Sequence, residues 1–454
     1  IQPSVQREES IGIIGAGPAG LLATLMAARS GANVFLIDQN TEAGGSLLSS
    51  NLNINQKPAM AWVDSVVKEI TNMPNVIHLQ DSTAWAYREH NLVIVNEREV
   101  ENASIIERSW RIRAKKIIIA TGAIERSLVF PNNDRPGVML ASAVQTFVNR
   151  YSVKLGNNLV LFTNNDSVYP YVQDLKKAEI NILAIVDSRK NIADSVLADA
   201  QNVRVISNSI IKNVIGYKKV NSVVVQSLED KKLETISCDL LAHSGGWNPM
   251  VHLHSQSRGT VKFDDRIAAF VPDHSVQASI NIGACNGTFP LNEIFDETKS
   301  LLSGASENSK SLVYEGKLEC SKQNYSIEAL WSVDLSKEKN KAFLDIQNDV
   351  THDDIQLALR EGYSNVEHVK RYTTGGMGFD QGKTGNINII GVIAKEQGIR
   401  LDDVGTTTFR SPFTPVSFGS INGLREGNCL DQDSSLLSNL KLLTSFCGRI
   451  WELA

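Results

Sequence analysis

Ile11-Gly12-Ile13-Ile14-Gly15-Ala16-Gly17-Pro18-Ala19-Gly20, with Asp38 closing the next apolar run, is the stretch on which the fold turns. A strand pattern over Ile11–Ile14 breaks at the glycines, a helical pattern runs from Leu21 to Arg29, and Asn33–Ile37 reads as a second strand. Gly31 stands where a helix C-cap belongs. Gly15 permits the tight turn, Gly17 leaves room for a diphosphate to approach the backbone, and Gly20 lets the helix pack close to the strand. The helix opening at Pro18 and Ala19 offers free amides and the positive end of its dipole to phosphate. Asp38, followed by Gln39, can accept hydrogen bonds from ribose hydroxyls and would repel a 2′-phosphate. The set predicts a dinucleotide site rather than a structural glycine turn.

Further landmarks lie outward from this core. Gly44-Gly45 resembles the second half of the signature in two-dinucleotide flavoproteins, and Ala120-Thr121-Gly122, after the strand at Lys116, resembles their later strand-to-loop signature. A fourth landmark departs: in FAD-binding members the strand at Ser279–Ile282 ends in Gly-Asp, whose carboxylate holds the ribityl chain, whereas here Gly283-Ala284-Cys285-Asn286-Gly287 follows. NAD, which has no ribityl chain, is therefore favoured, with FAD possible in the same pocket. Asn286 reads either as a cofactor contact or as a turn cap.

Residues 158–187 repeat the strand, helix, strand pattern, with a helix predicted over Ser167–Ala178, and imply a second nucleotide-binding-like unit inserted in the first. Its fingerprint position reads Thr163-Asn164-Asn165-Asp166-Ser167, which puts bulk and negative charge where phosphate needs close approach, so this site is expected to be empty or altered. From about Ser311 the pattern changes, and Thr351 opens a helix with Asp353 and Asp354 in its first turn. The predicted division is 10–155, continued at 238–310, for the first unit, 156–237 for the insert, 311–400 for a third small unit and 401–454 for a linker and tail.

Hydrophobic residues at 42%, charged residues at 21% and a net charge of -5 describe an ordinary globular chain with no electrostatic case for nucleic acid or a membrane surface. The cysteines, Cys238, Cys285, Cys320, Cys429 and Cys447, form no readable disulfide framework, Cys-x-x-Cys pair or metal set, which suits a reducing cytoplasm. His243, His252 and His254 cluster near Trp247 without a nucleophile or carboxylate and read as structural, so no catalytic residue is assigned. An opening Ile1 points to a fragment, a processed chain or an artificially trimmed one.

Several longer strings carry a family likeness. Glu125-Arg126, Asn132 to Met139, Phe162 to Ser167, Ser244-Gly245-Gly246-Trp247-Asn248-Pro249, His368 to Thr374, Asp380 to Thr384 and Val404 to Arg410 together resemble the alpha subunit of heterotetrameric sarcosine oxidase, over roughly Ile11 to Gly419. The resemblance implies an α/β, two-dinucleotide-binding-domain flavoprotein fold (FAD/NAD(P)-binding, Rossmann-like) with a small helical domain of degenerate [2Fe–2S] type. There the cysteine places hold Asp345, Gln347, Asp380 and Gly385, which cannot supply a thiolate set, so no iron–sulfur cluster is expected. It further implies beta, gamma and delta partner subunits, with oxidative demethylation of sarcosine on a beta-subunit FAD and FMN shared with beta. Lys370, Arg371, Gln381, Lys383 and Thr384 are suited to face that FMN. After Gly423 the likeness stops, as a frameshift, a truncated fragment or a split subunit would produce. A free-standing flavin reductase and a non-catalytic binding scaffold are the competing readings.

Overall fold

A computed structural model describes residues 10–98, 107–303, 314, 316–321, 323–335 and 340–422. The divergent tail, Cys429, Cys447 and the boundary at Ser311 lie outside them. Two compact units result: residues 4–415, and a second to which the described residues 416–422 belong, with the short helix Phe418–Asn422.

The quoted stretch forms the strand Ser10–Ile14 and the helix Pro18–Arg29, followed by the strand Asn33–Ile37. The five-stranded sheet runs in the order Ser279–Asn281, Lys116–Ile119, Ser10–Ile14, Asn33–Ile37, Val76–Leu79, with every neighbour parallel. Such strands are covered on both faces, which is why they read as near-continuous apolar runs. One face packs on Pro18–Arg29, Ala59–Thr71 and Leu291–Ser303. Ala59, Val63, Val66 and Ile70 fall on one stripe of the second of these helices and are buried. The other face meets a three-stranded antiparallel sheet, Ser82–Arg88, Leu92–Arg98 and Glu107–Arg113.

Ala123–Glu125 pairs antiparallel with Trp247–Pro249, and through these two strands the chain enters and leaves the insert. The insert has its own parallel sheet, ordered Val138–Leu140, Leu240–Ser244, Asn158–Thr163, Asn181–Asp187, Val205–Ile206. Its helix differs from the expected span: only Tyr171–Lys177 is α-helical, because Asn165 Oδ1 accepts from Ser167 N at 3.0 Å and holds the preceding residues in turns.

The helical unit is built on the hairpin Phe343–Asp345/Val350–Thr351 and the helices His352–Arg360, Val366–Thr373 and Asn386–Gln397, around a core centred on Ile387–Ala394. Thr351 caps its helix in a capping box with Asp354. Residues 317–321 and 323–334, within the range expected for this unit, run as a belt along both nucleotide-binding units. Their backbone polar groups find partners there, at Asn55, Asn164 and Val129.

Candidate nucleotide-binding site

Gly15, at φ +106°, makes the turn off the first strand, and a Cβ there would lie 2.2 Å from Ala120 O. A Cβ on Gly20 would lie 1.8 Å from Gly15 O, so helix and strand approach as no other residue would allow. Gly17 is the N-cap, with Pro18 at the first helical position. Gly44 N donates to Ala16 O at 2.8 Å and sets Gly45, at φ +55°, against Gly17, where a Cβ on Gly45 would come 2.8 Å from Gly17 Cα. The two glycine turns thus meet backbone to backbone beside first-turn amides that no helical carbonyl can reach.

Asp38 ends the neighbouring strand and is 8% exposed. Its Oδ2 accepts from Ala16 N at 2.5 Å and its Oδ1 from Asn40 N at 2.7 Å, so the carboxylate braces the glycine turn from the side and keeps lone pairs for further donors. Gln39 is exposed beside it. Ala120 N donates to Ile14 O at 2.8 Å, Thr121 Oγ1 to Met250 O at 2.8 Å, and Met250 N to Gly122 O at 3.0 Å. The Ala120–Gly122 turn is thereby tied to the crossover from the insert.

Asn286, expected as a cofactor contact or a turn cap, is tied into its own turn. Its Nδ2 donates to Glu297 Oε1 at 2.7 Å, Thr288 Oγ1 donates to the same oxygen at 2.8 Å, and Gly283 N donates to Glu297 Oε2 at 2.7 Å. Glu297, from the helix Leu291–Ser303, organises this turn, and sequence reasoning missed it. The signal available was an acidic residue in the helix that follows a glycine turn lacking its own acid.

The fingerprint region of the insert is closed. Asn165 is 0% exposed, with Nδ2 donating to Ser244 O and Oγ at 3.2 Å each. Asp187, the counterpart of Asp38, is held by Arg189, which also reaches Asp166. Arg189 and Tyr169 are further residues that the sequence reading did not single out.

A family model for pyridine nucleotide-disulphide oxidoreductases matches residues 9–159, and one for the sarcosine oxidase A3 domain matches residues 339–424. The chain is 38% identical over 447 residues to sarcosine oxidase subunit alpha of Corynebacterium sp. (strain P-1), covering 92% of this chain and 46% of the relative. Against sarcosine oxidase subunit alpha of Rhizobium meliloti (strain 1021) it is 39% identical, covering 92% and 42%. The chain is a partial homologue of sarcosine oxidase alpha subunits. It spans about half the length of these curated relatives. Among solved structures, L-proline dehydrogenase from P. horikoshii superposes with a TM-score of 0.69 at 20% identity, covering 92% of this chain and 81% of that one, which shows a shared fold.

Within the A3 match of this alpha-subunit homologue, carboxylates stand at two of the places that the family likeness gave to cysteine. Asp345 Oδ1 accepts from Gln347 N at 2.9 Å and Asn348 N at 3.2 Å, and its Oδ2 accepts from Gly376 N at 2.8 Å. Asp380 accepts from Gly382 N at 2.9 Å and from Thr384 N and Oγ1 at 3.2 and 2.8 Å. Gln347 Oε1 accepts from Asp380 N at 3.1 Å, and a Cβ on Gly385 would lie 2.4 Å from Leu344 O. Hydrogen bonds join these two loops, and position 385 has no room for any side chain. Among the described residues, no group of three or more His, Cys, Asp or Glu could hold a metal ion, and no helix is long and apolar enough to cross a membrane.

The five residues expected to face FMN are not drawn into one cradle. Gln381 Nε2 donates to Pro412 O at 2.6 Å and Lys383 Nζ to Phe413 O at 2.9 Å, so both side chains turn inward to hold the 412–413 loop. Thr384 Oγ1 is bound to Asp380, Arg371 is 3.9 Å from the Glu367 carboxylate and mostly exposed, and Lys370 is half-buried. Lys383 also borders an apolar cavity of about 70 Å³ with Phe270, Phe409, Phe413 and His252. His252 stacks on Phe413 at 4.5 Å, and burial, reinforced by the Lys383 charge, pushes its pKa down to about 3, which keeps the imidazole neutral.

Proposed function

We propose that this chain is the dinucleotide-binding part of a multi-subunit oxidoreductase of the sarcosine oxidase type. It retains NAD at the turn Gly15-Ala16-Gly17-Pro18-Ala19-Gly20, beside Gly45 and the Ala120-Thr121-Gly122 turn, with Asp38 and Gln39 at the ribose. The observation that carries this reading is the close approach of Gly45 to Gly17 at a helix N-terminus braced by Asp38, where first-turn amides have no helical carbonyl to bind and suit a diphosphate. NAD is favoured over FAD because Gly283-Ala284-Cys285-Asn286 stands where FAD-binding members have Gly-Asp, and the nearby Glu297 carboxylate is already engaged by Gly283 N, Asn286 Nδ2 and Thr288 Oγ1. Bound NAD would supply a hydride-accepting nicotinamide; the residues named here bind and orient it.

Amine oxidation belongs, on this reading, to the FAD of a partner beta subunit: sarcosine, oxygen and water give glycine, formaldehyde and hydrogen peroxide, or the one-carbon unit passes to tetrahydrofolate. Gamma and delta subunits complete the assembly, in the cytoplasm. Lys370 and Arg371 are the better placed to meet a shared FMN, Gln381 and Lys383 being committed to the 412–413 loop and the Thr384 hydroxyl proton to Asp380. Asp345 and Asp380 stand in place of a cluster. A free-standing flavin reductase fits less well, because such an enzyme needs a working second nucleotide site and, in the usual case, a redox cysteine pair.

Two measurements test the proposal. Gly17→Glu drives a carboxylate into the phosphate space and should reduce the NAD released on denaturation to background, while Lys383→Ala keeps it; equal release from the Gly17 variant and the parent would remove the motif from the account. Coexpression with a beta subunit should yield sarcosine-dependent peroxide. A yellow chain that oxidises NAD(P)H unaided would favour the reductase instead.

A further inference from the structure

In the second nucleotide-binding unit, the places that would receive a ligand hold parts of the protein itself. Strands Asn158–Thr163 and Asn181–Asp187 are parallel neighbours, as Ser10–Ile14 and Asn33–Ile37 are in the first unit, so the 163–167 loop corresponds to the glycine turn and Asp187 to Asp38. Asp187 is 0% exposed and takes Arg189 in a two-pronged contact, Nη2 to Oδ2 at 2.7 Å and Nε to Oδ1 at 3.0 Å, while Tyr169 OH donates to Oδ2 at 2.8 Å. Arg189 Nη1 reaches across to Asp166 Oδ1 at 2.6 Å and to Ser326 O at 3.1 Å. Burial opposes the guanidinium charge, but the hydrogen bonds and charges of Asp187 and Asp166 outweigh it and hold its pKa above the ordinary arginine range. A dinucleotide would have to displace this cation and set its phosphates against two carboxylates. The helix that follows begins only at Tyr171.

The belt closes over the same place. Asp166 N donates to Ser326 O at 3.1 Å, Glu328 N to Asn164 O at 3.0 Å, and Asn164 Nδ2 to Glu328 O at 2.8 Å, with Ile327 bridged antiparallel to Asn165. Upstream, the belt is fastened to the first unit: Asn55 N donates to Glu319 O at 2.8 Å, Leu291 N to Gln323 Oε1 at 3.0 Å, and Tyr325 packs edge-on against Phe289 at 4.7 Å. Between these anchors, Ile327 and Tyr325 press on Gly246 at the crossover, where a Cβ would meet Ile327 Cδ1 at 2.4 Å and Tyr325 OH at 3.0 Å.

We propose that Arg189, gripped by Asp166 and Asp187, is an internal latch that fastens the 323–328 belt over the second unit. It excludes a dinucleotide from that unit and fixes the two nucleotide-binding units in one relative orientation. The inference is independent of what the first site binds.

Hydrogen exchange followed by mass spectrometry on the full chain, with and without millimolar NADH or NADPH, tests it. Peptides spanning 164–168 and 324–330 should exchange slowly in the parent and be unaffected by either nucleotide. Arg189→Met should speed both by tenfold or more, while exchange at 15–20 and the NAD released from the first site stay unchanged. If Arg189→Met does not fold, Tyr169→Phe, which removes one hydroxyl bound to Asp187, should speed the same peptides by a few fold. Protection of 164–168 by added NADPH in the parent would overturn the proposal, as would loop-like exchange of 324–330 in the parent, or variant rates equal to parental ones. Absence of NAD from the first site of the parent, with the latch peptides slow in the parent and fast in Arg189→Met, would count against the nucleotide reading alone.

Discussion

Gly17, Gly45 and Asp38 show how much a few residues can settle when covalent geometry is the argument. The second turn can touch the first through its backbone only because Gly45 lacks a Cβ, which would come 2.8 Å from Gly17 Cα, and the glycine at that place is visible in the sequence before any coordinate is known. Glu297 and Arg189 were not legible in the same way. Each acts on a turn in a different element, and a lone acidic or basic residue in a helix or loop carries no sign of the amide or carboxylate it will find. Glu125 is a third case. It is 2% exposed at the end of a crossover strand, with Oε2 accepting from Ser142 N at 2.8 Å. Burial raises its pKa from 4.5 to about 7, against the lowering effect of hydrogen bonds from Ser142 and Ser244. Because the folded value lies above the unfolded one, the folded chain keeps a proton that the unfolded chain has lost between these two values. Stability should therefore fall as pH rises from about 4.5 to about 7 and then level off, by about 3 kcal/mol in all. Glu125→Gln, whose amide oxygen can still accept from Ser142, should flatten this part of the profile in urea titrations from pH 5 to 8. A wild-type profile parallel to the variant's would refute the assignment.

At the scale of elements, strands and helices with strong periodicity emerge where the sequence places them, while the short helix of the insert and the belt do not. The helix expected from Ser167 starts only at Tyr171, because Ser167 N donates to Asn165 Oδ1, a local competition that periodicity cannot register. The belt has no periodicity to read, because its pairing partners lie far away in sequence. The two A3 loops illustrate the reverse situation: the residue types at 345 and 380 excluded thiolate chemistry, but only the structure shows what those carboxylates do. Asp345→Ala would leave the amides of Gln347, Asn348 and Gly376 without their acceptor at a site 6% exposed, and should cost about 2–4 kcal/mol in thermal or urea unfolding of the chain. Asp345→Asn, which keeps one accepting oxygen, should recover part of the loss. Identical midpoints for Ala and parent would show that the loops are held by their apolar contacts instead.

Across the whole molecule, the order of elements along the chain differs from their order in space. The first sheet takes its outer strand from Ser279–Asn281, after the insert has been completed, and the belt that touches both units comes later still. On a ribosome, the insert can therefore collapse while the earlier sheet still lacks an edge, and the belt can be laid across both only once the residues up to Asp334 have emerged. A nascent chain halted before the belt would carry two lobes joined by a pair of short strands and by contacts such as Asn51 Nδ2 to Asp174 Oδ1, with Asp166 N and Arg189 Nη1 lacking their partner at Ser326 O. Elongation by a few dozen residues would then give both lobes a shared strap whose backbone partners lie far earlier in the sequence.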